Sequence, residues 1–129
     1  MKIIDGNLHR DCRGAVRFVN DFDMSQVVRM YFIEPKLGVI RAWQGHKRET
    51  KWFCAAHGDF LVKTINMNTF EKKEYNLKAT ESKVLEISGG HYNGLEALEE
   101  GSVLIVFSDV DLDSSKADDF RESIENLKW

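Results

Sequence analysis

The sequence predicts an all-β fold, either a barrel or a sandwich, and three observations lead to this prediction. Runs rich in β-branched and aromatic residues follow one another along most of the 129 residues. Turn-forming glycine, asparagine and aspartate residues separate these runs at short intervals. A helical spacing of apolar residues is confined to segment 114–129.

The runs place the predicted strands in chain order. They are Val16–Val19, Val27–Ile33, Gly38–Trp43, Thr50–Ala56, Asp59–Asn66, Lys72–Leu77, Lys83–Ile87 and Ser102–Phe107. In segment 114–129, Phe120, Ile124 and Leu127 form a narrow apolar stripe, which predicts a short C-terminal helix or turn docked on the barrel. Neither an internal repeat nor a linker interrupts the pattern, so one domain is expected over residues 1–129.

Composition and charge exclude several classes of function. The formal net charge of −3 argues against a surface for nucleic acid or for an anionic membrane. No apolar run is long enough for a membrane span or an export signal, which predicts a cytoplasmic protein. In that compartment Cys12 and Cys54 are expected to be reduced, packed thiols.

Polar side chains concentrate in two consecutive predicted strands and in the turn between them. Segment 38–60 carries Arg41, Gln44, His46, Lys47 and Lys51 among apolar residues. Because strand side chains alternate, several of these residues can point to one face while apolar residues fill the other. Such an arrangement predicts a polar pocket inside a barrel, suited to a small anionic ligand with a carbonyl or phosphate group.

A series of short motifs extends over most of the chain in one order. They are Arg13-Gly14, Arg29-Met30-Tyr31-Phe32-Ile33, Gly38-Val39-Ile40-Arg41-Ala42-Trp43-Gln44, Lys51-Trp52-Phe53-Cys54, Leu85–Leu95 and Ser108-Asp109. Together they resemble the nucleotide-sugar cupins, namely the dTDP-4-dehydrorhamnose 3,5-epimerases and the related dTDP-4-keto-6-deoxyglucose 3,4-ketoisomerases. The resemblance implies a cupin-type jelly-roll barrel with a short C-terminal helix, associated as a homodimer.

The resemblance also implies a reaction, in which a proton moves next to the keto group of a dTDP-4-keto-6-deoxyhexose during surface polysaccharide sugar biosynthesis. Epimerisation or ketoisomerisation of this kind needs a base for the proton and a donor for the enolate oxygen. His46 matches the second histidine of the ketoisomerases' His-x-His and is the candidate base. Lys51 matches the epimerase lysine that holds the keto oxygen, and Gln44 is expected to hold the keto or enolate oxygen with it. Tyr92 or His91 is expected to act as the acid on the far side.

The same comparison of motifs predicts the substrate-binding residues and reveals departures from the family. Arg41 matches the arginine that contacts the nucleotide diphosphate, and Arg29 is a second candidate for that contact. His91 and Asn93 are further candidates for binding the substrate. Gln44 stands where the epimerases have their main catalytic histidine, and Asn93 stands where they have a later histidine. Three interpretations stay open: a reaction with one base, such as a 3-epimerisation or a 3,4-keto shift; a module that binds a nucleotide sugar or a sugar acid without converting it; and an unrelated cupin ligand.

Many cupins bind a divalent metal ion, and the corresponding positions here are Gln44, His46, Thr50 and Asn93. One imidazole among two amides and a hydroxyl is a poor ligand set for zinc or iron. The sequence therefore predicts a protein that uses neither a metal nor an organic cofactor.

Overall fold

The computed structural model describes residues 2–129, which form mainly β-strands. The strands are β1 (Lys2–Asp5), β2 (Asn7–Asp11), β3 (Gly14–Phe18), β4 (Arg29–Ile33), β5 (Arg41–His46), β6 (Lys51–His57), β7 (Asp59–Asn66), β8 (Lys72–Lys78), β9 (Lys83–Ile87), β10 (His91–Ala97), β11 (Val103–Ser108) and β12 (Phe120–Arg121). A helix, α1 (Leu112–Lys116), and a 3₁₀ turn (Ala79–Glu81) accompany them. Within residues 2–129, no helix has the length and apolar character needed to cross a membrane.

Ten of the strands form two five-stranded antiparallel sheets. In the first sheet the order is β1-β9-β6-β11-β4, and in the second it is β12-β5-β10-β7-β8. Many neighbours within a sheet are distant in sequence, as the crossing connections of a jelly roll require. The remaining strands, β2 and β3, pair with each other as an exposed hairpin. The predicted cupin-type jelly-roll fold is therefore confirmed.

The apolar core unites side chains from both sheets. Phe53 and Leu104 of the first sheet and Phe60 and Leu95 of the second are buried in one cluster. Each such side chain contributes roughly 2 kcal/mol to folding by leaving water. Because inward and outward side chains alternate along a strand, this core also fixes which residues of β5, β6 and β10 face the interior.

Most predicted strands are found near their predicted bounds, whereas β1, β2, β10 and β12 lie outside the predicted runs. The strand β10 contains Asn93 and Gly94, and both residue types favour turns. Gly94 is nevertheless required within this strand. A Cβ atom there would lie 2.6 Å from both Ala42 and Trp129, so only glycine leaves room for these neighbours.

The C-terminal segment differs from the prediction of a helix within residues 114–129. The only helix of the described residues, α1, already ends at Lys116, and Phe120–Arg121 forms β12 instead. This strand pairs with β5 and satisfies backbone groups at the edge of that sheet. A short amphipathic segment is a marginal helix by itself, so the pairing prevails.

The residues after β12 cover Trp43, which is 2% exposed. The indole Nε1 of Trp43 donates a hydrogen bond to the carbonyl oxygen of Leu127 at 2.5 Å. The ring of Trp129 lies 5.3 Å from the ring of Trp43, and the Lys63 ammonium lies 4.7 Å from the Trp129 ring. These contacts attach the C-terminal segment to the outside of β5, as expected of a docked turn.

Candidate active site

Two adjoining cavities open where β4 and β5 approach each other. Their volumes are about 300 and 550 Å³, and they share Tyr31, Ile33, Arg41, Gln44 and Arg121 as wall residues. The smaller cavity reaches inward to Phe53, Asn93 and Leu95. The larger one extends outward to Arg29, Lys51 and α1. We call the two together the interior cavity.

The wall of the larger part is strongly cationic. It holds the positively charged side chains of Arg29, Arg41, Lys51, Lys116 and Arg121, against the carboxylates of Glu34 and Asp119. An excess of cationic donors in a concave site favours an anionic ligand, and the guanidinium group suits phosphate oxygens in particular.

A β-bulge brings Arg41 into this cavity beside Gln44. In a regular strand these two residues would point to opposite faces, because they are three positions apart. The pairing of β10 with β5 is irregular here: Asn93 pairs with Gln44, whereas Leu95 pairs with Arg41. The extra residue on β5 restores Arg41 to the inner face, so both side chains line the same wall.

The Gln44 amide links an ammonium group to a carboxylate. Its Nε2 donates to Asp119 Oδ1 at 3.3 Å, and its Oε1 accepts from Lys51 Nζ at 3.3 Å. Lys51 is 3% exposed, and its ammonium lies 5.6 Å from the ring of Tyr31. The pKa of Lys51 is lowered to about 8, chiefly by burial; the charge of Glu49 opposes this shift and that of Arg29 adds to it. The Lys51 ammonium therefore loses its proton near pH 8, well below the usual range of a lysine.

His46 is buried in the second sheet, with one ring nitrogen bound and the other free. Its Nδ1 lies 2.6 Å from the carbonyl oxygen of Asp118. Because that oxygen can only accept, Nδ1 carries the proton and Nε2 keeps its lone pair. Nε2 has no hydrogen-bond partner among the described residues. Burial lowers the pKa of His46, as does the positive charge of Lys51, so the imidazole is neutral at pH 7.

Glu49 joins the turn after β5 to three other elements. Its side chain is fully buried, and it accepts hydrogen bonds from Ser108 Oγ at 2.6 Å, from Ser115 Oγ at 2.7 Å and from Arg29 at 3.2 Å. Its Oε1 also lies 3.4 Å from His46 Nδ1. The sequence motifs assign no role to Glu49, because it precedes β6 and the direction of its side chain depends on the path of the turn.

Tyr31 is a further cavity residue outside the predicted set. The Arg29 guanidinium lies 5.1 Å from its ring, and its side chain forms part of both cavity walls. Burial raises the pKa of Tyr31 to about 12, so its hydroxyl stays protonated at physiological pH. Arg29, Tyr31 and Ile33 occupy alternate positions of β4 and face inward. The position of Tyr31 could therefore have been inferred from the sequence alone.

The structure brings together most of the predicted site residues. Arg29, Arg41, Gln44, Lys51 and Asn93 line the interior cavity. His46 lies two positions from Gln44 on the same strand and faces the same side, but it is buried behind the wall and lines neither part of the interior cavity.

Tyr92 and His91 are placed elsewhere, which corrects their predicted role as the acid. Tyr92 points to the outer face of β10, where its ring contacts the backbone position of Gly45 and lines a separate surface cavity with Met67. His91 begins β10 and directs Nδ1 toward the carbonyl oxygen of Ser88 at 3.1 Å. Strand alternation explains the outward direction of Tyr92, because its neighbour Asn93 points inward.

Asp119 and Arg121 reach the cavity through the pairing of β12 with β5, in which Arg121 lies opposite Gln44. Arg121 Nε donates to Asp119 Oδ1 at 2.8 Å, which holds both side chains next to the Gln44 amide. The sequence carries no local signal for this, since the pairing joins segments far apart in the chain.

Among residues 2–129, no three His, Cys, Asp or Glu side chains converge as a set of metal ligands. Both cysteines are free thiols, as predicted, and Cys54 is half-buried, but Cys12 is exposed and so is not the packed thiol that was expected.

No protein-family model and no curated protein sequence matches this chain. Solved structures do match. The 3'-monoepimerase ChmJ from Streptomyces bikiniensis, in complex with dTDP-quinovose, superposes with a TM-score of 0.83 at 13% identity, covering 98% of this chain and 72% of ChmJ. The dTDP-4-dehydrorhamnose 3,5-epimerase from Sulfolobus tokodaii gives a TM-score of 0.81 at 21% identity, covering 98% of this chain and 79% of the epimerase.

A ketoisomerase is similar to a comparable degree. The QdtA 3,4-ketoisomerase from Thermoanaerobacterium thermosaccharolyticum, a double mutant in complex with TDP, gives a TM-score of 0.76 at 21% identity, covering 94% of this chain and 86% of QdtA. At these identities the likeness concerns the fold. The chain therefore has the fold of the dTDP-sugar 3,5-epimerases and 3,4-ketoisomerases, the resemblance that its motifs predicted.

Proposed function

We propose that this protein is an isomerase that moves a proton next to the keto group of a dTDP-4-keto-6-deoxyhexose, by epimerisation or ketoisomerisation. The observation that carries the proposal is the cationic interior cavity, in which Lys51 and Gln44 are hydrogen-bonded. The similar structures, which are dTDP-sugar epimerases and ketoisomerases, support the choice of substrate class. A nucleotide sugar has the diphosphate and carbonyl groups that such a wall recognises.

In the proposed reaction, His46 Nε2 takes the proton from the carbon beside the ketone. The C–H bond electrons form the enolate, and the Lys51 ammonium stabilises the charge that develops on its oxygen. Gln44 orients Lys51 through its amide oxygen, since its amide nitrogen is engaged by Asp119. The proton returns to carbon from the imidazolium or from the Tyr31 hydroxyl, which replaces Tyr92 as the proposed acid. When Tyr31 donates, the imidazolium gives its proton to water and the tyrosinate takes one from water, so both groups regain their starting state.

The diphosphate is proposed to bind at the guanidinium groups of Arg41 and Arg29, with Arg121 as a third contact that the pairing of β12 supplies. Arg29 is fixed by Glu49, whereas Arg41 is exposed at the cavity wall and free to meet a ligand from solvent. Three guanidinium groups around one cavity suit the several oxygens of a diphosphate.

A non-catalytic binding module is the second candidate. It is favoured by one specific observation, the amide of Gln44 at the position where the epimerases have their main catalytic histidine. In this alternative the same cationic wall holds a nucleotide sugar or a sugar acid, and no proton is removed from it.

Proton NMR in deuterated water separates the two candidates. The protein is mixed with dTDP-4-keto-6-deoxyglucose, and deuterium at C3 and C5 is followed together with new sugar signals. Deuterium at either carbon supports the isomerase, provided that His46→Asn still binds the ligand but no longer incorporates deuterium. Broadened ligand signals without any label would instead establish the binding module and refute the isomerase.

We also propose that the protein works as a homodimer. The edge strand β4 and the residues before it expose apolar side chains, with Val28 64% and Met30 50% exposed, and Val16 of the hairpin is 60% exposed. An apolar sheet edge with free backbone groups is suited to pair with a second copy. A cytoplasmic location and a place in surface polysaccharide sugar biosynthesis stay predictions from the sequence.

A further inference from the structure

We propose that Glu49 is a positioning residue, which holds His46 and Arg29 in their working orientations and balances the positive charge that His46 acquires when it takes a proton. This inference deepens the proposed function and rests on it for the role of His46 as base. The motifs described above assign no role to Glu49.

The contacts of Glu49 are those of a fixed carboxylate. Its side chain has no exposed surface, and its oxygens accept hydrogen bonds from Ser108 at the end of β11 and from Ser115 of α1. The two serine hydroxyls satisfy carboxylate lone pairs, but neither serine carries a charge that balances the buried carboxylate. Arg29, at 3.2 Å, supplies the compensating positive charge. The pair is therefore neutral as a whole, and it fixes the Arg29 guanidinium at the edge of the cavity.

The same carboxylate faces the base. Glu49 Oε1 lies 3.4 Å from His46 Nδ1, on the side of the ring opposite the free Nε2. The Glu49 carboxylate oxygen and the Asp118 carbonyl oxygen thus both lie next to Nδ1. Because both oxygens can only accept a hydrogen bond, the proton of the neutral imidazole is on Nδ1. This arrangement fixes the tautomer in which the lone pair is on Nε2, the form that a base requires.

Glu49 also counters the charges that oppose protonation of His46. Lys51 of β6 disfavours the imidazolium, and burial disfavours it more strongly. The negative charges facing His46 are Glu49 and, after α1, Asp118 and Asp119. Across the pairing with β10, His91 lies opposite His46. Of the three carboxylates, Glu49 comes within 3.4 Å of the ring, so its charge is placed to stabilise the imidazolium directly.

The test compares Glu49→Gln with Glu100→Gln, which makes the same change of charge at an exposed turn. The imidazole nitrogens of ¹⁵N-labelled protein are titrated by NMR, with His46 assigned from His46→Asn, and deuterium exchange into substrate is measured across pH. In Glu49→Gln we expect a lower His46 pKa, an acid limb of the exchange profile moved to lower pH, and a rate reduced about tenfold. Glu100→Gln should match the wild type in all three.

The titration keeps this inference separate from the proposed function. An unchanged His46 pKa in folded Glu49→Gln would overturn the role of Glu49, whether or not the protein converts a sugar. An Nε2–H tautomer of His46 in the wild type would overturn it as well, and that measurement needs no variant. Absence of exchange by the wild type would instead refute the isomerase, while the NMR titration still decides whether Glu49 governs His46.

Discussion

The Nδ1 atom of His46 meets the carbonyl oxygen of Asp118 at 2.6 Å, across a separation of 72 residues in the sequence. The side-chain carboxylate of Asp118 adds further contacts to the turn that follows His46. It accepts hydrogen bonds from the backbone N–H groups of Lys47 at 2.9 Å, Arg48 at 2.8 Å and Glu49 at 2.9 Å. The segment after α1 thereby fixes the whole turn between β5 and β6, and with it the orientation of the proposed base.

Replacing Asp118 with Asn should destabilise the protein. Asn has one acceptor oxygen for three backbone N–H groups, so at least one buried donor loses its partner. We expect the free energy of unfolding at pH 7 to fall by about 1–3 kcal/mol. Chemical denaturation measures this, with Asp21→Asn at an exposed position as the matched control.

The effect of Asp118→Asn should also depend on pH. Burial raises the pKa of Asp118, but the hydrogen bonds from Glu49, Lys47 and Arg48 together lower it below its ordinary value. A carboxyl group with a depressed pKa stabilises the fold fully above its unfolded pKa of about 4, and it loses this contribution as pH falls through the folded value. The difference between wild type and variant should therefore shrink in acid; an equal difference at pH 7 and at pH 2 would contradict this account.

Lys51 should set the alkaline limit of the exchange reaction. Its ammonium form is the one that stabilises an enolate, and burial lowers its pKa to about 8. The exchange rate is thus expected to fall as pH rises through about 8. In Lys51→Arg the rate should no longer fall there, because arginine stays protonated.

Removing the positive charge of Lys51 should lower the exchange rate at every pH. Lys51→Met is expected to lower the exchange rate about a hundredfold, by analogy with the loss of one donor to a developing oxyanion. Lys78→Met, on the exposed surface of β8, serves as the control for the loss of a lysine. A wild-type profile that stays level through pH 9 would rule out Lys51 as the donor.

Gln44→His should add a second proton-transfer centre. The introduced imidazole would lie beside Asp119, which now accepts from the Gln44 amide at 3.3 Å, and would form a histidine–carboxylate pair. We expect deuterium at a second carbon of the sugar, detected by NMR, with Gln26→His as an exposed control. Label confined to the wild-type carbon would mean that Gln44 is not what restricts the reaction.

Met30→Glu should dissociate the proposed homodimer. Met30 is 50% exposed on the edge strand β4, and a carboxylate there would be buried without a partner if a second copy covers the edge. Sedimentation should give twice the chain mass of 14.9 kDa for the wild type and the single mass for the variant. Leu98→Glu, at an exposed turn, should remain dimeric. A monomeric wild type would refute the dimer.

The sequence alone determined the fold class, most of the strands and the residues of the cationic wall on β4, β5 and β6. These depend on local properties: β-branched and aromatic residues favour strands, and alternation assigns their faces. The same rule places Tyr92 outward once Asn93 is inward, so this part of the site could have been predicted correctly from the pattern. Tyr31 could likewise have been predicted from its alternation with Arg29.

Only the tertiary structure decided how the cavity is completed. The bulge in β5 opposite Gly94 places Arg41 beside Gln44, and the pairing of β12 with β5 delivers Asp119 and Arg121. Both depend on backbone hydrogen bonds between segments far apart in the chain, and such bonds leave no periodic pattern in the sequence. Glu49 points to His46 for the same reason, because the Asp118 carboxylate binds the N–H groups of its turn and fixes the direction of the side chain.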